Sequence, residues 1–168
     1  SILRLNKANI LKGIKKAFNP GRLEVISKDP VVILDGAHNA DSSYALRESL
    51  ISEFKPQDIK QNIVVTSIMH DKEVDKILQN FIPLGCRYFV TEVTNARTSK
   101  AESLKEILIS LGAEAGQIEV IKSTSEAISR AFKEIRLGNN SGLLVAGSLY
   151  LIGEVRNQVI EEVTKLEL

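Results

Sequence analysis

Short apolar runs recur along the chain, and longer segments with helical periodicity lie between them. Several of the runs are continuous stretches of Val, Ile and Leu, which is typical of strands that other elements cover on both faces. The pattern predicts strands at Leu23–Ser27, Val31–Leu34, Ile63–Ile68, Tyr88–Val93, Ile118–Ile121 and Leu143–Ala146.

Helices are predicted where apolar residues repeat every three or four positions. The first presents Leu46 and Leu50 on one face and is ended by Pro56, because the residue before a proline disfavours helical geometry. The second is predicted to begin at Asp71, which would be its N-cap, and to stop before Pro83.

Signals at the helix ends mark three further helices. Two begin with a capping box and close with a glycine: Ser99 with Glu102 and Gly112, then Ser123 with Glu126 and Gly138. The last runs from about Leu149 toward Leu166. Strands that alternate with helices predict βαβ units. The fold class is therefore α/β, a doubly wound and mostly parallel sheet of about six strands with helices on both faces.

The first 19 residues do not fit this alternation. They carry a helical stripe of apolar residues, Ile10, Leu11, Ile14, Ala17 and Phe18. Asn19-Pro20-Gly21 closes the stripe. A lone amphipathic helix before a complete α/β domain has two explanations. Either it packs on the sheet of its own domain, or it is the last helix of a preceding domain.

Composition narrows the class of protein. The formal net charge is +1, so there is no global basic field to hold nucleic acid. The only cysteine, Cys86, rules out a disulfide framework within one chain and suits a reducing, cytoplasmic compartment. No apolar run approaches the roughly 20 residues of a membrane helix, and no signal peptide is evident. We therefore expect neither a nucleic-acid nor a membrane partner.

Open parallel sheets bind ligands beyond the carboxyl ends of their strands. The second predicted strand ends in Asp35, Gly36 and His38. A carboxylate at this rim can accept hydrogen bonds from a sugar hydroxyl or a substrate amine, and glycine permits a turn that a side chain would obstruct. The alternative is that Asp35-Gly36 is only a tight turn and His38 a surface residue.

Two further positions are candidates for binding an anion. Gly147 and Ser148 follow the sixth strand and offer backbone N–H groups at the start of a helix. Arg22 follows Pro20-Gly21, and its planar guanidinium matches the oxygens of a phosphate. Each has a plain alternative, Ser148 as a helix N-cap and Arg22 as an ordinary surface arginine.

Two common nucleotide-binding motifs are absent from the sequence. No glycine is followed by lysine, so there is no P-loop, and no pair of glycines has the spacing of the G-x-G-x-x-G fingerprint.

Four segments in a fixed order resemble a known family. They are Pro20-Gly21-Arg22-Leu23-Glu24-Val25, Ile33-Leu34-Asp35-Gly36-Ala37-His38-Asn39, Met69-His70-Asp71-Lys72 and Gly147-Ser148-Leu149-Tyr150-Leu151. The set resembles the C-terminal domain of folylpolyglutamate synthase / dihydrofolate synthase, in the Mur ligase superfamily. The resemblance spans about Asn19 to Arg156. It departs from the family at Ala40, where proline is common.

The resemblance implies a Rossmann-like domain that works with an N-terminal ATPase domain. Such enzymes use ATP and Mg²⁺ to join L-glutamate to the carboxylate of a folate or dihydropteroate through an acyl phosphate, which the amine of glutamate attacks. By their place in the motifs, Arg22 and Asp35 are expected to contact ATP, and His38 and Ser148 to lie on the glutamate side. The P-loop and the magnesium site belong to the N-terminal domain, so this chain is expected to hold no metal ligand and no catalytic residue.

Under this interpretation, residues 1–19 are the terminal helix and linker of the ATPase domain, and residues 20–168 are the C-terminal Mur-ligase-like domain. The chain alone is then expected to be inactive. Two other functions stay open: a free-standing α/β module that binds a nucleotide or metabolite, and a Mur-type peptidoglycan amino-acid ligase domain. The P-G-R and G-S-L-Y-L segments favour the folate branch.

Overall fold

We describe the protein from a computed structural model, in which residues 6–16, 19–54, 62–85, 87–138 and 142–166 are described. Four residues used in the sequence analysis lie outside these ranges, namely Ala17, Phe18, Pro56 and Cys86.

A six-stranded sheet forms the centre of the molecule. Its strands are β1 (Glu24–Lys28), β2 (Val31–Asp35), β3 (Asn62–Thr66), β4 (Arg87–Glu92), β5 (Ile118–Ser123) and β6 (Gly142–Ala146). They lie in the order β1-β2-β6-β3-β4-β5. All neighbours pair in parallel except β1, which pairs antiparallel with β2 at one edge. The predicted strands and the mostly parallel sheet are confirmed.

The described helices are α1 (Lys7–Lys16), α2 (Ala40–Glu53), α3 (Val74–Phe81), α4 (Ala101–Ser110), α5 (Thr124–Arg136) and α6 (Leu149–Thr164). Helices α2 to α6 cover both faces of the sheet. Buried side chains of α2, α3 and α4 pack on one face, with Leu46, Phe81 and Leu104 among them. Those of α5 and α6 pack on the other face, with Phe132 and Val155 among them.

The position of β6 creates a crevice. Strand β6 lies between β2 and β3. The helices that follow β2 and β3, α2 and α3, cover one face of the sheet, while α6, which follows β6, covers the opposite face. Adjacent chain segments therefore diverge at the carboxyl end of β6. In open α/β sheets this topological switch point is where ligands bind.

The predicted helix ends are partly confirmed. Ser123 is the N-cap of α5, where its side chain accepts a hydrogen bond from the backbone N–H of Glu126. Gly112 and Gly138 follow α4 and α5 with φ of 99° and 70°, a geometry that glycine adopts without strain.

Two predicted N-caps are wrong. Helix α3, the second that the sequence predicted, begins at Val74 after Glu73, and Asp71 instead forms ion pairs with Lys72 and Arg97. Helix α4, the third predicted, begins at Ala101 after Lys100, not at a Ser99 cap. Its first backbone N–H bonds Oε1 of Glu92, so a carboxylate at the end of β4 replaces the predicted capping box.

Helix α1 exposes apolar side chains. Ile10 and Leu11 are 44% and 49% exposed. Packing of these two residues on the sheet of their own domain, one of the two explanations above, is therefore not seen. Among the described residues, no helix is both long enough and apolar enough to cross a membrane.

Candidate functional site

The candidate site lies along the edge where the parallel strands end. The segments that follow β2, β6, β3 and β4 all reach this edge, because parallel strands bring their carboxyl ends together. The antiparallel β1 starts at the same edge, since Glu24 lies opposite Leu34. Five chain segments can thus contribute side chains to one ligand.

Asp35 ties two of these segments together. Its Oδ2 accepts a hydrogen bond of 2.6 Å from the backbone N–H of Leu23, and its Oδ1 accepts one of 2.7 Å from the backbone N–H of Ala37. Burial raises the pKa of this carboxyl, although both hydrogen bonds and the nearby charges of Arg22 and His38 oppose the rise. The carboxyl fixes a turn, and each oxygen keeps a further lone pair for another donor.

Arg22 is exposed beside this carboxyl. Within the described ranges its guanidinium has no ion pair or hydrogen bond, and it lines a depression of about 270 Å³ together with Asp35 and Ser42. An exposed arginine that makes no ion pair at the carboxyl edge of the sheet is suited to an anionic ligand such as a phosphate.

The backbone around Arg22 is unusual. Gly21 before it and Leu23 after it have φ of 69° and 43°, both in the left-handed region. A Cβ on Gly21 would lie 2.8 Å from Cγ2 of Ile152, so glycine is needed for space as well as conformation. Leucine adopts this geometry at a cost, and such outliers concentrate at functional sites.

His38 lies half-buried after the same turn. Its Nδ1 is 2.7 Å from the carbonyl oxygen of Gly36, which can only accept, so Nδ1 carries the proton. In the neutral ring, Nε2 is then the acceptor that a ligand can reach. Ser42 supports the segment because its Oγ accepts hydrogen bonds from the backbone N–H groups of His38 and Asn39.

Ser148 is a helix N-cap, which is the structural role predicted for it as the alternative to anion binding. It is the N-cap of α6, where its Oγ accepts a 3.1 Å hydrogen bond from the backbone N–H of Tyr150. The residue is 2% exposed, yet it also lines a cavity with His38. The cap accounts for the acceptor side of the hydroxyl, and the hydroxyl proton is still available to a ligand.

The cavity shared by His38 and Ser148 has a volume of about 180 Å³. Its other lining residues are Met69, Lys72, Arg97, Leu149 and Tyr150. Nη2 of Arg97 donates to the hydroxyl of Tyr150 at 3.2 Å, and Nη1 lies 3.5 Å from Oδ2 of Asp71. Nζ of Lys72 is 3.8 Å from the same carboxylate. One carboxylate therefore faces two cations, so the cavity wall favours an anionic guest.

Arg97 is a site residue that the sequence pattern did not predict. Lys72 stood in one of the four motifs, but nothing in the sequence singled out an arginine after the fourth strand. Only the strand order places Arg97 beside the loops after β3 and β6.

No group of three or more His, Cys, Asp or Glu side chains within the described parts of the chain could hold a metal ion. The cations Lys72, Arg97 and Arg22 instead give the edge a chemistry suited to carboxylates and phosphates.

Comparison with known families identifies this architecture. Residues 22–158 match the model of the family described as dihydrofolate synthetase, C-terminal domain. The chain belongs to this family. The match includes all four site residues predicted from the sequence, Arg22, Asp35, His38 and Ser148.

Curated relatives agree with this family. The chain is 31% identical over 165 residues to a dihydrofolate synthase/folylpolyglutamate synthase of Bacillus subtilis, covering 92% of this chain and 36% of the relative. It is 32% identical over 149 residues to a probable bifunctional folylpolyglutamate synthase/dihydropteroate synthase of Halobacterium salinarum, covering 89% of this chain and 17% of the relative. The chain thus spans about a third of the length of the first relative and less of the second.

Solved structures share the fold of this dihydrofolate synthetase C-terminal domain. A Mycobacterium tuberculosis folylpolyglutamate synthase, complexed with ADP and AMPPCP, superposes with a TM-score of 0.82 at 25% identity, over 93% of this chain and 36% of that one. A Thermotoga maritima folylpolyglutamate synthase superposes with a TM-score of 0.71 at 30% identity, over 94% of this chain and 34% of that one.

Proposed function

We propose that this chain is the C-terminal part of an ATP-dependent ligase that joins L-glutamate to the carboxylate of a folate or dihydropteroate. In this proposal, residues 20–168 form the ligase's C-terminal domain, residues 1–19 lead from an N-terminal ATPase domain, and the enzyme acts in the cytoplasm. The observation that carries the proposal is the pairing of two sites at one edge of the sheet. An arginine with a buried carboxylate lies on one side, and a cavity with two cations lies on the other.

The first site suits the nucleotide. The proposed reaction transfers the γ-phosphoryl group of ATP to the folate carboxylate, so that an acyl phosphate forms and ADP leaves. Arg22 is permanently charged and exposed, and it can balance negative charge on the phosphates during this transfer. Asp35 can accept a hydrogen bond from a ribose hydroxyl with the lone pairs that Leu23 and Ala37 leave unused. A relative complexed with ADP and AMPPCP supports the use of this nucleotide.

The second site suits glutamate. The amine nitrogen attacks the acyl carbon, phosphate leaves, and the nitrogen gives up a proton as the amide forms. Lys72 and Arg97 can each pair with a carboxylate of glutamate, and Nε2 of His38 can accept a hydrogen bond from its amino group. Ser148 and the start of α6 add a hydroxyl proton and the positive end of a helix dipole.

Magnesium and the P-loop are assigned to the N-terminal ATPase domain in this proposal. When bound there, the metal would neutralise charge on the phosphates of ATP. The residues of this chain contribute position and charge, which are the main sources of catalysis when two ligands must be held in line.

The test is ADP release by the complete ligase that carries this chain. We expect release that requires ATP, a folate or dihydropteroate, and glutamate together, and none from the 168-residue chain alone. Folate- and glutamate-dependent turnover by the chain alone would contradict the proposal, and so would a complete protein that releases ADP without regard to either substrate.

A further inference from the structure

Glu24 and Arg156 form an ion pair behind the turn that carries Arg22. Oε1 of Glu24 accepts a 2.7 Å hydrogen bond from Nη2 of Arg156, and Nε of Arg156 lies 3.1 Å from both carboxylate oxygens. The side chain of Glu24 is 4% exposed. The hydrogen bond from Arg156 lowers the pKa of Glu24, so the carboxylate is ionised at neutral pH.

The same carboxylate holds the backbone of the turn. Oε2 of Glu24 accepts a 2.8 Å hydrogen bond from the backbone N–H of Gly21. The carbonyl oxygen of Gly21 in turn accepts one of 2.7 Å from the backbone N–H of Gly36. Arg156 belongs to α6, so this chain of contacts fixes the turn to a helix that is packed in the core.

Arg22 is thus fixed on both sides through its neighbours. Gly21 is held by Glu24 on one side, and the backbone N–H of Leu23 is held by Asp35 on the other. The left-handed φ of Leu23 needs such support, because leucine does not favour this geometry on its own. The guanidinium of Arg22 makes no hydrogen bond or ion pair within the described parts of the chain, while its backbone N–H donates a 3.1 Å hydrogen bond to the carbonyl oxygen of Asn19.

We infer that Glu24 and Arg156 are positioning residues for nucleotide binding, which act by holding the backbone of Arg22 in the orientation that aims its guanidinium at phosphate. This inference rests on the proposed role of Arg22. A pre-set arginine loses less conformational freedom when it binds, and a displacement of its backbone weakens the contact even when the arginine itself is present.

The decisive variant is Glu24→Gln in the complete ligase. We expect the KM for ATP to rise roughly ten-fold while the KM for glutamate is unchanged. In an Arg22→Ala background, the same change should have no further effect on the KM for ATP, because the residue it positions is gone. Arg156→Lys keeps the positive charge but loses the planar guanidinium that contacts both carboxylate oxygens of Glu24, so it should cause a smaller rise in the KM for ATP.

Glu162→Gln is the matched control. Oε2 of Glu162 pairs with Nη2 of Arg136 at 2.5 Å, its side chain is 13% exposed, and it lies on the same helix as Arg156 but away from the site. It should lower stability without changing either KM. A Glu24→Gln variant that behaves like this control, or whose effect on the KM for ATP adds fully to that of Arg22→Ala, overturns the inference.

Amide hydrogen exchange in the complete ligase tests the positioning independently of ligase activity. Exchange at Gly21 and Gly36 should be faster in Glu24→Gln or Arg156→Lys than in the wild type, and unchanged in Glu162→Gln. If Arg22→Ala leaves the KM for ATP unchanged, the proposed role of Arg22 fails, and faster exchange at Gly21 then still supports the positioning. Unchanged exchange at Gly21 in both variants overturns it.

Discussion

Asp35 combines the two roles that the sequence presented as alternatives. Its carboxylate makes the tight turn, because the backbone N–H groups of Leu23 and Ala37 both bond to it. The same geometry holds it beside Arg22 at the rim of the sheet. Ser148 is similar, since the cap of α6 and the cavity wall are the same side chain. A local structural role therefore does not argue against a role in binding.

A substitution of Lys72 tests whether the cavity that it lines binds glutamate. Replacement by Met keeps the apolar stem and removes the charge from the cavity wall. Charged hydrogen bonds contribute about 1.5–3 kcal/mol, so we expect the KM for glutamate to rise roughly ten- to a hundred-fold with little change in the KM for ATP. Steady-state kinetics on the complete ligase measure both constants.

Lys76→Met is the control for this prediction. Lys76 lies in the first turn of α3, pairs with Glu73 and is largely exposed, so its loss should leave both constants unchanged. Equal effects of the two variants, or an effect of Lys72→Met on ATP alone, would contradict the assignment of this cavity to glutamate.

At the scale of elements, the turn between β6 and α6 depends on one glycine. Gly147 has a φ of 116°, and a Cβ there would lie 2.6 Å from Oγ1 of Thr66 and 2.9 Å from the carbonyl oxygen of Ser67. Both neighbours are fully buried and have little room to move. The close approach brings the loops after β3 and β6 together, which shapes the cavity.

Two glycine-to-alanine changes near α6 test this claim. Gly147→Ala should lower the free energy of unfolding by about 2–5 kcal/mol, from backbone strain and overpacking together. Gly153 lies inside α6 with open space around it, so Gly153→Ala should raise the free energy of unfolding by about 0.5–1 kcal/mol. Urea unfolding measures both values. A Gly147→Ala variant as stable as the wild type would show that the turn can relax.

The four inner strands could be predicted because their runs are mostly apolar and mostly buried. The edge strands β1 and β5 are only partly buried. The two wrong helix starts have a common physical cause. Asp71 and Ser99 are good N-caps locally, but Asp71 is drawn to Arg97 and the first amide of α4 is satisfied by Glu92. Both partners come from the β4 strand and the loop that follows it, so contacts between distant segments override the local signal.

At the scale of the whole molecule, the order of the strands decides the site. Nothing in the sequence showed that β6 inserts between β2 and β3, and this insertion brings His38, Lys72 and Ser148 to one cavity. Motif order predicted His38 and Ser148 as a pair, and Arg22 with Asp35 as another, through resemblance to a family. The structure places each pair in its own depression, and their assignment to glutamate and to ATP stays a prediction.

The proposed function divides this edge of the sheet into a nucleotide side, at Arg22, and a glutamate side, at His38. Its most direct test compares Arg22→Ala with His38→Ala in the complete ligase, varying ATP and glutamate in turn while the other substrates are saturating. We expect Arg22→Ala to raise the KM for ATP roughly ten- to a hundred-fold with a smaller effect on glutamate, and His38→Ala to show the opposite pattern. Wild-type constants in both variants, or the two patterns exchanged, would contradict the account.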